Sequence, residues 1–244
     1  MGTPAAGRPL DVATVLAIVT RDPGRPRLTW YGVDGERVEL SGAVVDNWVS
    51  KTTNLLVEEF DAAPGARVLL DLPPHWRAVL WTLATWRAGA CATRAGDADV
   101  VVTDRPQEHP GAPDLVAVAL PALARGFPGD LPAGAVDAAT AVMTYGDALG
   151  PVPPTPSTAP AVDGATAVTF ADLIEPHPAP TRRLVDAGAH DAVSLARLAL
   201  ASWAVGGSVV VVDAGTASTL RADPTRRTRL VTGEKVDEDA LTDR

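Results

Sequence analysis

The chain reads as an α/β protein whose layered, mostly parallel sheets form two partly similar lobes, the second of them truncated. Two observations predict this. The first is a repeat: Leu83-Ala84-Thr85-Trp86-Arg87-Ala88-Gly89 and Leu200-Ala201-Ser202-Trp203-Ala204-Val205-Gly206 match in register at a Leu-Ala pair, a tryptophan and a glycine. The second is alternation: short apolar runs of strand length are separated by segments with helical apolar spacing. Each copy of the repeat closes such a helical segment. Each is preceded by an Arg-led strand, Arg67-Val68-Leu69-Leu70 or Arg183-Leu184-Val185, and followed by an apolar stretch, weak at Cys91 and strong at Val209 to Val212.

Val12 to Val19 reads as a first short helix, ended by Asp22-Pro23-Gly24. Leu28-Thr29-Trp30-Tyr31 and Arg37-Val38-Glu39-Leu40 flank Asp34-Gly35, a hairpin signal because glycine tolerates the positive φ of a tight turn. Ser41 is a fitting N-cap for a long amphipathic helix, with Val44, Val45, Trp48, Val49, Leu55, Leu56 and Phe60 expected inward and a break at Pro64-Gly65. Arg67 to Leu72 reads as a strand buried on both faces, ended by Pro73-Pro74, and His75 to Ala88 as the next helix. Asp99 to Thr103 and Leu115 to Ala119 read as two more strands. The five prolines between Pro151 and Pro160 mark a linker or surface loop. Beyond it are expected a short helix over Thr169 to Ile174, a strand over Arg183 to Asp186, a helix from His190 to Val205 and a strand from Ser208 to Val212. A charged tail from Thr225 to Arg244 is expected to fray. The implied division is a lobe over 1–153 and a shorter one over 154–244.

At 244 residues with 46% apolar and 21% charged content, the chain has the composition of a folded soluble protein. A net charge of -9 with scattered arginines argues against a nucleic-acid partner, because that affinity rests on clustered Lys and Arg. No apolar run approaches the roughly 20 residues of a membrane span. No signal peptide is evident and one cysteine permits no internal disulfide, so a cytoplasmic location is expected. Only two lysines occur, Lys51 and Lys235.

Several stretches resemble the adenylate-forming superfamily, the AMP-dependent synthetases and ligases that include the acyl-CoA synthetases. They are Gly35-Glu36-Arg37-Val38-Glu39-Leu40-Ser41 with its following helix, Pro64-Gly65-Ala66-Arg67-Val68, and Trp76 to Ala90. Thr169-Phe170-Ala171-Asp172-Leu173, His190-Asp191 and Gly206 to Val210 extend the likeness more weakly, over roughly 10–215. The resemblance implies the N-terminal subdomain of those enzymes. Among them the chain is most similar to a short actinobacterial-type group that keeps only part of that subdomain.

In that family a loop rich in Ser, Thr and Gly, ending in Pro-Lys-Gly, holds the ATP phosphates. The corresponding place here reads Pro156-Ser157-Thr158-Ala159-Pro160-Ala161-Val162-Asp163-Gly164. Ser157 and Thr158 persist, but the glycine cluster and the lysine are absent, Asp163 adds negative charge, and the prolines lack an N–H to offer phosphate. Since one missing oxyanion donor can cost about 10²–10³ in rate, no ATP cofactor and no independent ligase activity are expected. The family's later segments, with a ribose-binding aspartate and a second catalytic lysine, are also expected to be lacking, and Tyr145-Gly146-Asp147 is a superficial echo of one of them.

His75, His109, His177 and His190 lack the close pairing of a metal site, and Cys91 reads as a buried structural thiol. His190 and Asp191 resemble a family position near the acyl pocket, although N-capping by Asp191 explains the pair more simply. The expected function is therefore a non-catalytic relative that binds a small acyl or acidic ligand, or a protein partner, in a groove between lobes, with His190, Asp191, Ser157 and Thr158 as candidate ligand-binding residues. An open sheet edge would favour a homo-oligomer or another protein partner. The alternative is an AMP-forming acyl ligase completed by a separate subunit.

Overall fold

A computed structural model describes residues 10–32, 34–164 and 166–241. It contains two sheets with helices between them. The first sheet has the order β12-β10-β11-β1-β2, from β1 (Pro26–Tyr31), β2 (Arg37–Ser41), β10 (Arg182–Asp186), β11 (Ser208–Val212) and β12 (Glu238–Asp239). The second has the order β7-β6-β5-β3-β4-β8-β9. Its strands are β3 (Arg67–Asp71), β4 (Cys91–Thr93), β5 (Val100–Thr103), β6 (Asp114–Ala117), β7 (Val136–Asp137), β8 (Pro160–Val162) and β9 (Val168–Thr169).

The repeat in the sequence is a repeat in space. Strands β5-β3-β4-β8-β9 and β12-β10-β11-β1-β2 share one arrangement, four parallel strands closed by an antiparallel hairpin. Helices α3 (Trp76–Arg87) and α5 (Ala192–Ala204) are the matching crossovers. Gly89 and Gly206 end them at φ +85° and +82°, where the chain reverses into the next strand and a side chain would be strained. The two tryptophans do the same work. The Trp86 indole N–H donates to the Ala161 carbonyl of β8 at 2.8 Å, and that of Trp203 to the Arg27 carbonyl of β1 at 2.9 Å. Each ring thus locks its helix to the strand beside its own following strand.

The matching strand openers are Arg67 and Arg182, one residue earlier than the Arg183 expected from sequence: Arg67 stands opposite Cys91 as Arg182 stands opposite Ser208. The Arg67 N–H donates to Asp99 and the Arg182 N–H to Asp237, each at 2.8 Å.

The hairpins are exchanged between the halves. β1–β2 comes early in the chain yet joins β11, and β8–β9 joins β4. The sheets therefore interleave along the sequence, and the expected boundary at 153/154 does not follow the division between them. β11 is buried on both faces, as the run of valines implies.

Helices α1 (Val12–Val19), α2 (Gly42–Phe60), α3 and α5 share one core with the inner faces of both sheets, where Leu28, Val68, Val209 and Trp203 are fully buried. Fully burying one such leucine or valine contributes about 1.5–3 kcal/mol. α6 (Ala214–Ala222) and α7 (Pro224–Gly233) cover the outer face of the first sheet through Leu220 and Leu230. The outer face of the second sheet carries Leu69, Val101 and Leu115 beneath turns.

α2 begins as expected, with Ser41 accepting from the Val44 N–H, but Val44 itself faces solvent at 37% exposure. Two expectations fail. Thr169 to Ile174 is not a helix, because the Phe170 and Ala171 N–H groups continue the hairpin to the Ala159 and Ser157 carbonyls at 3.0 and 2.8 Å. The tail is ordered as far as 241: Asp223 caps α7 with Pro224 at its first position, and β12 pairs with β10 over Arg183 and Leu184, covering that sheet edge. Residues 242–244 lie outside the described residues.

Candidate functional site

The segment expected to correspond to a phosphate loop is mainly part of a hairpin. Pro156 to Ala159 forms a turn, Pro160 to Val162 is β8, and Asp163 and Gly164 begin the connection to β9. The Ala159 N–H donates to Pro156 at 3.0 Å, that of Asp163 to Ala92 at 3.2 Å and that of Gly164 to the Asp163 carboxylate at 2.7 Å. Pro156 and Pro160 have no N–H. The Asp163 carboxylate is ion-paired with Arg67, and the Gly164 N–H and that guanidinium hold its pKa below the usual carboxylate range. The Ala159, Asp163 and Gly164 N–H groups are thus already bound within the protein and do not converge on an anion.

Asp191 is the N-cap of α5. Its Oδ1 accepts the Ser194 N–H at 2.8 Å, and the Ser194 hydroxyl accepts the Asp191 N–H at 2.9 Å, closing a capping box. Its Oδ2 pairs with Arg94, from the turn after β4, at 2.7 Å. Burial pushes the Asp191 carboxyl up, but the Ser194 N–H and the Arg94 guanidinium outweigh that and keep its pKa below the usual value. His190 is half-buried, and burial lowers its pKa against the opposing charges of Asp191 and Asp186, leaving a neutral ring at pH 7. Thr158 is exposed on its turn.

Ser157 has a different setting. It lines a cavity of about 340 Å³ bounded by the start of α1, the last turn of α3, residues 152–157 and the turn 170–174. His190, Asp191 and Thr158 do not line it. Its walls are mixed: Leu10, Val12, Trp86, Phe170, Leu173 and Ile174 supply the apolar part, and Asp11, Arg87, Thr155 and Ser157 polar groups. The Trp86 bond to Ala161 fixes the ring that forms one wall, so the repeat also shapes the cavity. Asp11, also in the lining, caps α1, accepting the Thr14 N–H at 2.7 Å.

The cation of this cavity is Arg87, which also lines the neighbouring cleft of Asp46, Ser50 and Asp147. It is half-buried and makes no ion pair or hydrogen bond among the described residues. Burial lowers its pKa from the ordinary arginine value, and the more distant charges of Asp11 and Asp46 only partly oppose this. A partly desolvated guanidinium without an ion-pair partner is suited to receive a carboxylate. Sequence reasoning missed Arg87 because Trp-Arg-Ala-Gly reads as an ordinary helix end.

The remaining candidates have structural partners. His75 caps α3 and packs edge-on against Trp30 at 4.5 Å, His109 meets Asp71 at 2.8 Å, and His177 meets Glu238 at 3.2 Å. Cys91 is buried, and burial raises its pKa, as expected of an inert thiol. Tyr145-Gly146-Asp147 is a clamp point: Lys51 donates to the Tyr145 carbonyl at 2.6 Å and pairs with Asp147 at 2.7 Å, while Asn54 donates to the Gly146 carbonyl at 3.2 Å. Among the described residues no cluster of His, Cys, Asp and Glu could hold a metal ion, and no helix is long and apolar enough to cross a membrane.

No protein-family model matches the chain. It is 34% identical over 157 residues to a curated protein of Mycobacterium tuberculosis whose name records only a numbered family, covering 58% of this chain and 63% of that one. Among solved structures it is similar to an acyl-CoA synthetase from Brucella canis (TM-score 0.65, 16% identity, 91% of this chain and 47% of that one). It is also similar to an amide bond synthetase from Marinactinospora thermotolerans (TM-score 0.64, 17% identity, 93% and 48%). An acetoacetyl-CoA synthetase from Streptomyces lividans gives a TM-score of 0.63 at 17% identity, over 84% and 38%. The chain thus spans less than two thirds of the curated relative and about half or less of these structures. Identities this low establish architecture and not chemistry. Two interleaved sheets about a shared layer of helices, aligned over most of the chain, give this protein the fold of the adenylate-forming acyl-CoA and amide synthetases over about half of their length.

Proposed function

We propose that the chain is a non-catalytic relative of the adenylate-forming synthetases that binds a small amphipathic carboxylic acid in the cavity beside Trp86. Arg87 carries this reading. It makes no ion pair or hydrogen bond among the described residues, and it lines a cavity of mixed polar and apolar walls whose volume of about 340 Å³ lies within the range of small-molecule sites. The carboxylate would pair with Arg87, the Ser157 and Thr155 hydroxyls lie within the same lining, and the hydrocarbon would cover Trp86, Phe170 and Leu173. The non-catalytic part of the reading is supported by the 156–164 segment, whose carboxylate and internally bonded N–H groups are ill suited to a triphosphate.

Calorimetry with hexanoate and benzoate, each beside its uncharged amide, tests the reading. The acids are expected to bind and the amides not. A charge-assisted hydrogen bond contributes about 1.5–3 kcal/mol, so Arg87→Gln is expected to weaken acid binding roughly 10- to 100-fold. Equal binding of acid and amide, or an unaffected Arg87→Gln variant, would refute it.

A further inference from the structure

α6 and α7 carry four arginines with different surroundings. Arg221 donates to Asp186 at 2.6 Å, and Arg227 pairs with Asp239 at 2.7 Å while donating to the Leu241 carbonyl at 2.6 Å. These two fasten the helices to the sheet. Arg226 and Arg229 make no ion pair among the described residues, although the chain has a net charge of -9. Their three-residue spacing puts both on one face of α7, and both line a single cleft of about 390 Å³ between the β1–β2 turn and the α6–α7 pair. The cleft has an apolar floor of Tyr31, Leu220 and Leu230, with Thr216 at its side.

The acidic residue that lines the cleft, Glu234, and the two that cap its helices are engaged within the protein, while Asp34 is exposed on the β1–β2 turn. The Glu234 carboxylate accepts from Tyr31 at 2.5 Å, Arg37 at 2.8 Å and Arg182 at 2.5 Å, while Asp213 and Asp223 cap α6 and α7. The cleft therefore offers two uncommitted cations above an apolar surface. It also lies at the carboxyl ends of β1 and β11, the side on which open α/β sheets receive ligands.

We infer that this cleft binds a small organic phosphate monoester, its phosphate between Arg226 and Arg229 and its organic group on Tyr31, Leu220 and Leu230. Paired guanidiniums match the oxygens of a phosphate dianion, and the leucine floor gives an ester an advantage over the free ion. The inference is independent of the carboxylic-acid reading, since none of these residues lines the cavity beside Trp86.

Titration of the full chain with phenyl phosphate, followed by amide chemical shifts, is the test, with inorganic phosphate and benzyl alcohol as companion probes. Saturable shifts in 31–35 and 214–234 are expected, with phenyl phosphate binding at least fivefold more tightly than inorganic phosphate and benzyl alcohol not saturating. The double variant Arg226→Gln/Arg229→Gln is expected to bind at least tenfold more weakly with an unchanged melting temperature, because neither arginine supports the fold through an ion pair. Arg125→Gln, at an exposed arginine of the other sheet's 118–135 loop, is expected to change nothing. Absence of saturable shifts, equal affinity for free phosphate, binding retained by the double variant, or an equal loss in Arg125→Gln would overturn the inference.

Discussion

Replacing Arg87 by methionine separates a binding role from a structural one, because the two predict opposite signs for stability. A structural arginine loses partners on replacement and the protein weakens. Arg87 has no hydrogen bond or ion pair to lose among the described residues, and its charge is partly desolvated by burial. Leaving a buried polar group unsatisfied costs about 1–3 kcal/mol. Discounted for its half-exposed position and for the longer-range attraction of Asp11 and Asp46, the expected gain from Arg87→Met is about 1 kcal/mol. Methionine keeps much of the aliphatic volume and suits a helix, so neither packing nor propensity should mask the effect. Urea unfolding at pH 7 measures the gain, and hexanoate calorimetry on the same sample measures the loss of affinity. A variant that binds hexanoate as the parent does, or that is destabilised by more than about 1 kcal/mol, refutes the reasoning.

Further predictions follow from other groups. Trp203→Phe removes a buried indole N–H from the Arg27 carbonyl and Trp86→Phe removes its counterpart from Ala161; each is expected to cost about 2–4 kcal/mol in urea unfolding, including lost packing. A cost below about 0.5 kcal/mol for either would show that the repeat does not rest on these bonds. His75 accepts the Arg77 N–H through Nδ1, and burial, with the Arg77 charge adding to it, pushes its pKa down to about 3. The unfolded ring titrates near 6.5, so between about pH 6.5 and 3 the unfolded state binds the extra proton and stability falls as pH falls. The loss from this group between pH 7 and pH 5 is about 2 kcal/mol. His75→Asn, which can keep the N-cap, should remove that part of the pH dependence in parallel unfolding curves, and an unchanged slope would contradict the assignment.

The parts of the fold legible in the sequence are those fixed by local patterns. The Trp-x-x-Gly repeat, the Ser41 and Asp191 caps, and the valine run of β11 all announce their structure in a few neighbouring residues. The hairpin exchange was not legible, because a hairpin's own residues specify its turn but not which distant strand it joins. Residues 169–174 carry a helical apolar pattern, yet the hairpin to 157–159 takes the N–H groups a helix would need. The tail read as fraying because α7 has no buried residue; its order comes from the Asp223 cap, the Arg227 pair with Asp239, and the Arg182 link to the Glu234 carbonyl at 2.6 Å. At the candidate site, Ser157 was legible as a polar survivor of the resembling loop. Arg87 was not, since its significance lies in a missing partner that only three dimensions reveal.

The central claim is that this scaffold holds a carboxylic acid without activating it. Acid-dependent pyrophosphate release from ATP and magnesium, measured on the purified chain with hexanoate at a concentration shown by calorimetry to saturate it, tests that claim most directly. The account predicts full acid binding with pyrophosphate no faster than in the acid-free control, and acid-dependent pyrophosphate release that disappears in Arg87→Gln would contradict it.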